Sequence, residues 1–411
     1  MAKPKCLNTG FYPSNINLGT RIIPKVFETY NTFQAKTATM LKNISFLKGR
    51  ICMNLLEYYH NQFPKCENFV PRKCSLLENA DINLFGARGS GKTYIVLDYL
   101  VQTENIEILY IDFDDPNLIF NTFDRLLLQQ YIDKHDIKIL ILDHYIEGFF
   151  SHFPNVQQLI VISRVPLYIK ALISIELFPL DYEEFLAFEN IAMHTQGFNH
   201  FLRSGTLPLI AHSQKTNILS MKSFFKSSFT QQEQKLLLIL AQHHTKHLTT
   251  YQIYTFAKEK FKISKDWLYQ TIKSFSNEKL ILFIDDRYEK SGKKMLLFDF
   301  AFAKFLTIGQ PFILQFDTMV ALALIKHNIS IQTLGIHGYV TEKNELIIPA
   351  PFESEESLWV KSQNKFSLYK KYGITRVTIV TVTNSYAYSI EKLSFEALPF
   401  DEWSVINNEE D

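Results

Sequence analysis

The sequence predicts an α/β protein built on a parallel sheet, and three observations predict it. Gly86-Ala87-Arg88-Gly89-Ser90-Gly91-Lys92-Thr93 fits the pattern G-x-x-x-x-G-K-[ST] at every fixed position. This stretch stands between an apolar run, Ile82 to Phe85, and a segment from Tyr94 to Gln102 that puts Ile95, Val96, Tyr99 and Leu100 on one helical face. Further short apolar runs then alternate with helical stretches as far as Leu177, which is the pattern of parallel strands with crossover helices.

Each residue type in the loop has a chemical reason. Glycines at 86, 89 and 91 permit a tight turn whose backbone N–H groups point inward and cradle phosphates. Lys92 reaches the β- and γ-phosphates, and the Thr93 hydroxyl suits a Mg²⁺ shell. The helix that follows directs its positive end at the same anion. The expected ligand is a nucleoside triphosphate with Mg²⁺, namely ATP, and the expected contact residues are Gly86, Ala87, Arg88, Gly89, Ser90, Gly91, Lys92 and Thr93.

Composition bounds the rest. A chain of 411 residues with 46% hydrophobic and 21% charged residues has core material for several globular domains. A formal net charge of +1 provides no global field toward nucleic acid or membrane, so any nucleic-acid surface is local. The four cysteines, Cys6, Cys52, Cys66 and Cys74, form no C-x-x-C pair, which favours reduced thiols over a zinc site. The start, Met1 to Lys5, leads into no apolar signal core, and the most apolar long stretch, Leu159 to Phe178, carries Arg164, Pro166, Lys170 and Glu176. A cytoplasmic protein without a membrane span is expected.

Residues 1–75 read as a mainly helical extension, with Leu41, Ile44, Leu47, Ile51 and Leu55 at helical spacing and Lys36, Lys42, Lys48 and Arg50 on the solvated face. Pro71-Arg72-Lys73 reads as a short linker. The α/β core covers 76–180. Its second strand, Ile106 to Asp112, ends in Asp114-Asp115-Pro116, which caps a helix expected from Asn117 to Tyr131. The third strand, Ile137 to Leu142, closes on Asp143. An apolar strand ending in Asp about fifty residues after such a loop is the Walker B arrangement, with Asp143 holding the Mg²⁺ shell. Hydrolytic relatives carry an acid at the next position to orient water; here it is His144. Glu147 substitutes only if its loop turns inward, and His144 is itself a weak base. The alternative is that neither acts. The fourth strand, Leu159 to Ile162, presents Ser163 as a γ-phosphate sensor and Arg164 as a phosphate contact or a loop charge. The fifth runs from Ala171 to Leu177.

The loop, Asp114-Asp115-Pro116, Asp143, Glu176-Leu177-Phe178-Pro179-Leu180 with Glu184-Phe185-Leu186, and Ser204-Gly205-Thr206-Leu207-Pro208 occur in this order. The set resembles the prokaryotic AAA-type ATPases of the STAND/ASCE group of P-loop proteins, which carry a C-terminal degraded-nuclease-like domain. The resemblance spans about 80 to 400. It implies a P-loop NTPase parallel sheet with a helical lid at 181–228, followed by a winged-helix domain and an α+β nuclease-like domain. It departs at His144, where the family usually has Glu, which implies slow turnover.

Residues 229–298 carry their own winged-helix pattern. Thr230, Thr249 or Thr250, and Ser264 cap three helices, and Leu280 to Asp285 with Lys294 to Phe298 form a hairpin. Arg287, Lys290, Lys293 and Lys294 near its tip, beside Lys265, Lys273 and Lys279, suit backbone-tracking DNA contact. Glu278, Asp285, Asp286 and Glu289 dilute that charge. His243, His244 and His247 have no nearby Cys or acid to make a metal site. In 299–411 a helix from Thr318 to His327, strands at Ser330 to Leu334, Glu345 to Ile348 and Val377 to Thr383, and a helix from Ser362 to Tyr372 follow the order of a nuclease-like fold. Asp317 and Glu345 are remnant acids, but acid-x-Lys is missing and Pro349 and Pro351 break the strand, so this domain is expected to be inactive.

The functional expectation is a slow Mg²⁺-dependent ATPase acting as a conformational switch, with Lys92, Asp143, Ser163 and either His144 or Glu147 in the reaction. The alternative is a non-hydrolysing, ATP-stabilised module that binds DNA through the winged helix or an unidentified protein partner.

Overall fold

The computed structural model describes residues 53–406, apart from 63, 65–68, 104–105, 120–122, 192–194, 212–216 and 290–291. Most of the predicted N-terminal helix therefore lies outside the described residues. Its end, α1 (53–61), lays Leu55, Leu56 and Tyr59 against the first sheet.

That sheet holds β1 (Ile82–Phe85), β2 (Ile108–Asp112), β3 (Ile139–Asp143), β4 (Gln158–Ser163) and β5 (Ile173–Glu176), with α2 (Lys92–Val101) and α3 (Arg125–His135) as crossovers. The spatial order is β2-β3-β4-β1-β5, and every pairing is parallel. The side-chain period of two divides the strands between two faces. Tyr110, Ile141 and Ile160 pack with α2, whereas Leu109, Leu140 and Val161 pack with α1 and α3. The helix expected from Asn117 begins later. Asp115 Oδ1 accepts the Asn117 N–H at 2.8 Å to hold a 3₁₀ turn, Pro116–Ile119, and Asp124 caps α3 by accepting the Leu127 N–H at 2.9 Å.

Four helices follow: α4 (Tyr182–Glu189), α5 (Thr195–Ser204), α6 (Pro208–Ala211) and α7 (Asn217–Ser228). Next come α8 (Gln231–Gln242), β6 (His247–Leu248), α9 (Thr250–Lys260), α10 (Lys265–Asn277), β7 (Ile281–Ile284) and β8 (Lys293–Leu297). The strands form an antiparallel sheet in the order β6-β8-β7, and Thr230, Thr249 and Ser264 cap the helices.

The C-terminal part holds α11 (Phe300–Leu306), α12 (Phe312–Lys326), β9 (Ile331–Thr333), β10 (Tyr339–Thr341), β11 (Glu345–Pro349), α13 (Glu355–Lys371), β12 (Arg376–Thr381), β13 (Tyr386–Ile390), β14 (Leu393–Pro399) and α14 (Phe400–Ile406). Its mixed sheet runs β13-β14-β12-β11-β10-β9. Both expected helices start earlier than periodicity suggested, α12 after Pro311 and α13 at a Ser354 cap. Pro349 does not break its strand. It is the last residue of β11 and pairs with Val380, where the missing N–H costs one bond at the strand end. The two acids expected as remnants have partners: Asp317 pairs with Lys294 at 2.7 Å and accepts the Tyr339 hydroxyl at 3.0 Å, and Glu345 accepts the Thr378 hydroxyl at 2.6 Å.

One apolar core runs from Leu180 through α4 to α12 and on to Trp403. A buried carboxylate pins it. Asp299 caps α11 and accepts both the Thr206 N–H, at 2.5 Å, and the Thr206 hydroxyl, at 2.6 Å. Gly205 has φ +76°, and a Cβ there would lie 2.5 Å from Asp299 Oδ2, so this Gly is the residue that lets the turn close on the carboxylate. No helix among the described residues is long and apolar enough to cross a membrane.

The histidines expected to lack metal partners have structural ones. His243 stacks on Phe256 with ring centroids 4.0 Å apart, and His247 meets the Thr333 hydroxyl at 3.0 Å. His244 is buried. The Leu297 N–H donates to its Nδ1 at 3.1 Å, so Nε2 carries the proton and donates to Thr318 Oγ1 at 2.7 Å. Burial, with Lys294 adding to it, pushes this imidazole down to about 3 from 6.5. The unfolded chain therefore takes up the proton first as pH falls. The stability that neutral His244 contributes is complete above about pH 6.5 and is lost progressively toward about pH 3. The urea midpoint should fall on going from about pH 7 to about pH 4, and fall less steeply in His244→Gln.

Candidate functional site

The loop between β1 and α2 closes as its residue types require. Gly86 has φ +146°, and a side chain there would run into the Leu177 carbonyl oxygen on the strand end beside it. Gly91, at φ +94°, is the N-cap of α2, so the first helical N–H groups turn toward the loop interior. Lys92 folds back over the loop and donates to the carbonyls of Gly86 and Ala87 at 2.9 and 3.0 Å. Burial pushes its ammonium down to about 8, with Asp143 opposing.

Asp143 closes β3, one strand removed from β1 because β4 lies between them. It is fully buried, and both oxygens are engaged. Oδ2 accepts the Thr93 hydroxyl at 2.8 Å and the Tyr110 hydroxyl at 2.6 Å, while Oδ1 accepts the His144 N–H at 2.7 Å. A carboxylate and a hydroxyl side by side at the foot of a phosphate loop are hard oxygen donors of the kind that suit Mg²⁺. Tyr110 was not foreseen. Its ring is buried in the sheet, and burial next to Asp143 pushes its hydroxyl well above the usual phenol range.

The structure divides the remaining expected residues. His144 has φ +51°, a left-handed backbone that turns its ring onto Asp112, with Nδ1 2.8 Å from Oδ1. That hydrogen bond holds the imidazole above its usual range, and Asp143, Asp112 and Asp114 add to the effect. Glu147 is exposed on the following turn and does not line the cavity. Ser163 lies at the cavity wall, but its hydroxyl donates to the Val165 carbonyl at 2.6 Å and accepts from Asn83 Nδ2 at 2.8 Å. Arg164 reaches the cavity 3.9 Å from Asp114.

These groups open onto a cavity of about 550 Å³. Its lining combines the polar side chains of Lys92, Thr93, His144 and Arg164 with the apolar ones of Phe69, Val70, Phe188 and Leu209.

Residues 79–153 match the family model of the AAA domain. With the five-stranded parallel sheet, this match supports an AAA-type P-loop fold for this part of the chain. No curated protein matches the chain. Among solved structures, a Walker-type ATPase of Pyrococcus abyssi is similar at 13% identity and a TM-score of 0.38, over 56% of this chain and 92% of that one. The ORC1 protein of Aeropyrum pernix in complex with DNA is similar at 10% identity and a TM-score of 0.30, over 55% and 86%. Drosophila ORC bound to DNA follows at 12% identity and 0.19, over 59% and 90%.

The phosphate loop is braced by a residue that read only as linker. Arg72 makes a fork onto Glu184, Nε to Oε1 at 2.8 Å and Nη2 to Oε2 at 3.0 Å, and also donates to the carbonyls of Ser90 at 3.0 Å and Phe178 at 2.9 Å. Glu184 at the same time completes the capping box of α4 with Asp181. The Glu184-Phe185-Leu186 signature thus carries the acid that holds the loop's back, and Arg72 itself has no recognisable motif. Both side chains are buried, at 4% and 8% exposure, so removing the cation leaves an unpaired carboxylate inside the protein. Arg72→Ala should cost about 3–5 kcal/mol in urea unfolding, and Arg72→Met combined with Glu184→Leu should recover much of it.

Proposed function

We propose that the protein is an ATP-binding conformational switch with slow Mg²⁺-dependent hydrolysis. The observation that carries this reading is the Thr93–Asp143 hydrogen bond beside Lys92 at the phosphate loop, on a cavity lined by Lys92, Thr93 and several apolar side chains. The loop amides and Lys92 take the β- and γ-phosphates, Lys92 exchanging its two loop carbonyls for phosphate oxygens. Thr93 and Asp143 would hold Mg²⁺, which supplies charge neutralisation between those phosphates. Phe69, Val70, Phe188 and Leu209 supply apolar walls for a flat heterocycle. We read α4–α7 as the lid, 229–298 as a winged-helix unit and 299–411 as an inactive nuclease-like unit, the 76–180 core being the engine.

Slow turnover follows from what surrounds the γ-phosphate position. His144 occupies the place of the usual acid and is tied to Asp112, so it presents only Nε2 to the cavity. Glu147 faces away. Ser163 senses the γ-phosphate only by releasing the Val165 carbonyl. Loss of the γ-phosphate then frees the contacts it made and lets the helical units shift. In single-turnover assays the wild type should release phosphate slowly and Lys92→Ala not at all; equal release from both removes the ATPase reading. Mg-ATP should raise the thermal midpoint of the wild type and leave Lys92→Ala unchanged.

A second reading, binding to a nucleic-acid backbone, is favoured by one surface. The wing itself is committed within the chain: Arg287 donates to Asn344 at 2.6 Å, Lys293 pairs with Asp285 at 2.9 Å and Lys294 with Asp317. Lys258, Lys260, Lys262, Lys265 and Lys273 on α9, α10 and their junction are exposed, and none makes an ion pair among the described residues. Such a cluster suits phosphate contacts whose affinity falls with salt. Random duplex DNA should be retarded at low salt and released as salt rises, with Lys265→Glu/Lys273→Glu abolishing the shift; no retardation at low salt removes this reading.

A further inference from the structure

Arg88 stands at a position of the phosphate-loop pattern that any residue can fill, yet its side chain is only 10% exposed and is held by three separate elements. Its guanidinium forks onto Glu278, the C-cap of α10, with Nε to Oε2 at 2.8 Å and Nη2 to Oε1 at 3.2 Å. Nη2 also meets Glu233 Oε1 at 3.3 Å, and Nη1 donates to the Ser228 carbonyl that ends α7. The group lies over the Phe229 ring, 4.9 Å from its centroid. We propose that Glu278 is a positioning residue for the phosphate loop, acting through Arg88, so that nucleotide occupancy and the docking of α8–α10 are a single linked equilibrium.

The partners are rigid. Glu233 is fixed by its other oxygen, which accepts the Thr230 N–H at 2.7 Å in the capping box of α8. Glu278 is buried and accepts the Ser274 hydroxyl at 3.1 Å. Two carboxylates against one guanidinium leave this corner net negative, and Arg88 stands between it and the cavity that it also lines. Its placement therefore decides how much negative field an incoming triphosphate meets. The neighbouring Lys92 feels both groups, with Glu278 raising its proton affinity and Arg88 lowering it. Lys279, the next residue after Glu278, lies 3.7 Å from Glu176 at the end of β5, so the contact has a second point of attachment beside the loop. By linkage, if Glu278 holds the loop in the shape that takes phosphate, phosphate binding must strengthen the seat of α10 by the same factor.

The inference rests on the nucleotide reading and separates from it experimentally. Full-length wild type and Glu278→Gln are titrated with a fluorescent ATP analogue in Mg²⁺, and amide hydrogen exchange is followed at the end of α10 with and without Mg-ATP. Glu278→Gln should bind the analogue about tenfold more weakly, the size of a typical coupling between linked sites. Mg-ATP should slow exchange at residues 276–280 in the wild type and leave it unchanged in Glu278→Gln. A purely structural ion pair would leave α10 exchange indifferent to ATP in the wild type, and that result overturns the proposal even if the variant does not fold. Equal affinity in a folded Glu278→Gln overturns it as well. A wild type that fails to bind the analogue at all sinks the nucleotide reading, and the coupling with it.

Discussion

The guanidinium of Arg72 is where four parts of the chain meet. It touches the lead-in segment that carries it, the Ser90 carbonyl of the phosphate loop, the Phe178 carbonyl beyond β5, and Glu184 on the first helix after the sheet. A loop that turns its amides inward must leave carbonyls facing outward, and those need donors. Arg72 supplies one from behind while Lys92 covers Gly86 and Ala87 from the front. A buried fork of this kind is no large source of net stability, since desolvation offsets most of its attraction, but it fixes geometry. The loop's shape is thus set by side chains at positions 72, 88 and 92, and two of these answer to helices outside the sheet.

Local chemistry made the core legible. The loop announces itself through glycine spacing, and β1 to β5 through apolar runs ended by Asp112, Asp143 and Ser163. The caps Thr230 and Ser264 were readable because a hydroxyl before an amphipathic stretch has one evident use, and of the Thr249–Thr250 pair the structure uses Thr249. What stayed hidden depends on contacts distant in sequence. Tyr110 looks like any aromatic strand residue until β2 is paired with β3 and its hydroxyl meets Asp143. Glu278 looked like a charge diluting a basic surface and is the partner of Arg88. Strand β13 escaped because its half-exposed residues, such as Tyr386 and Tyr388, give no apolar run, and β10 because three residues make no pattern until neighbours supply its pairing.

The β7–β8 hairpin illustrates the same limit in charge. Basic residues at a hairpin tip read as a surface for a polyanion, but a sequence does not say which face of a unit is already taken. Here the tip lies against the C-terminal sheet: the Arg287 N–H donates to the Thr333 carbonyl at 2.9 Å, Asp286 accepts the Thr333 hydroxyl at 2.9 Å, and Tyr288 stacks on Tyr372 with centroids 4.0 Å apart. The charge that remains open lies on α9 and α10.

The apolar core that runs through the helical units to the end of the chain bears on how such a protein changes over time. Phe400 of α14 packs against the rings of Tyr182, Phe198 and Phe201 of α4 and α5, and against Phe316 of α12. Lys326 of α12 is buried and donates to the Leu180 carbonyl where the sheet gives way to the helices. The parts of this chain are therefore not beads that recombination can exchange one at a time. A different C-terminal unit grafted at residue 299 would arrive without the rings that close the underside of α4 and α5. The parallel-sheet core and the C-terminal unit must be inherited together, and substitutions in one are expected to be answered in the other.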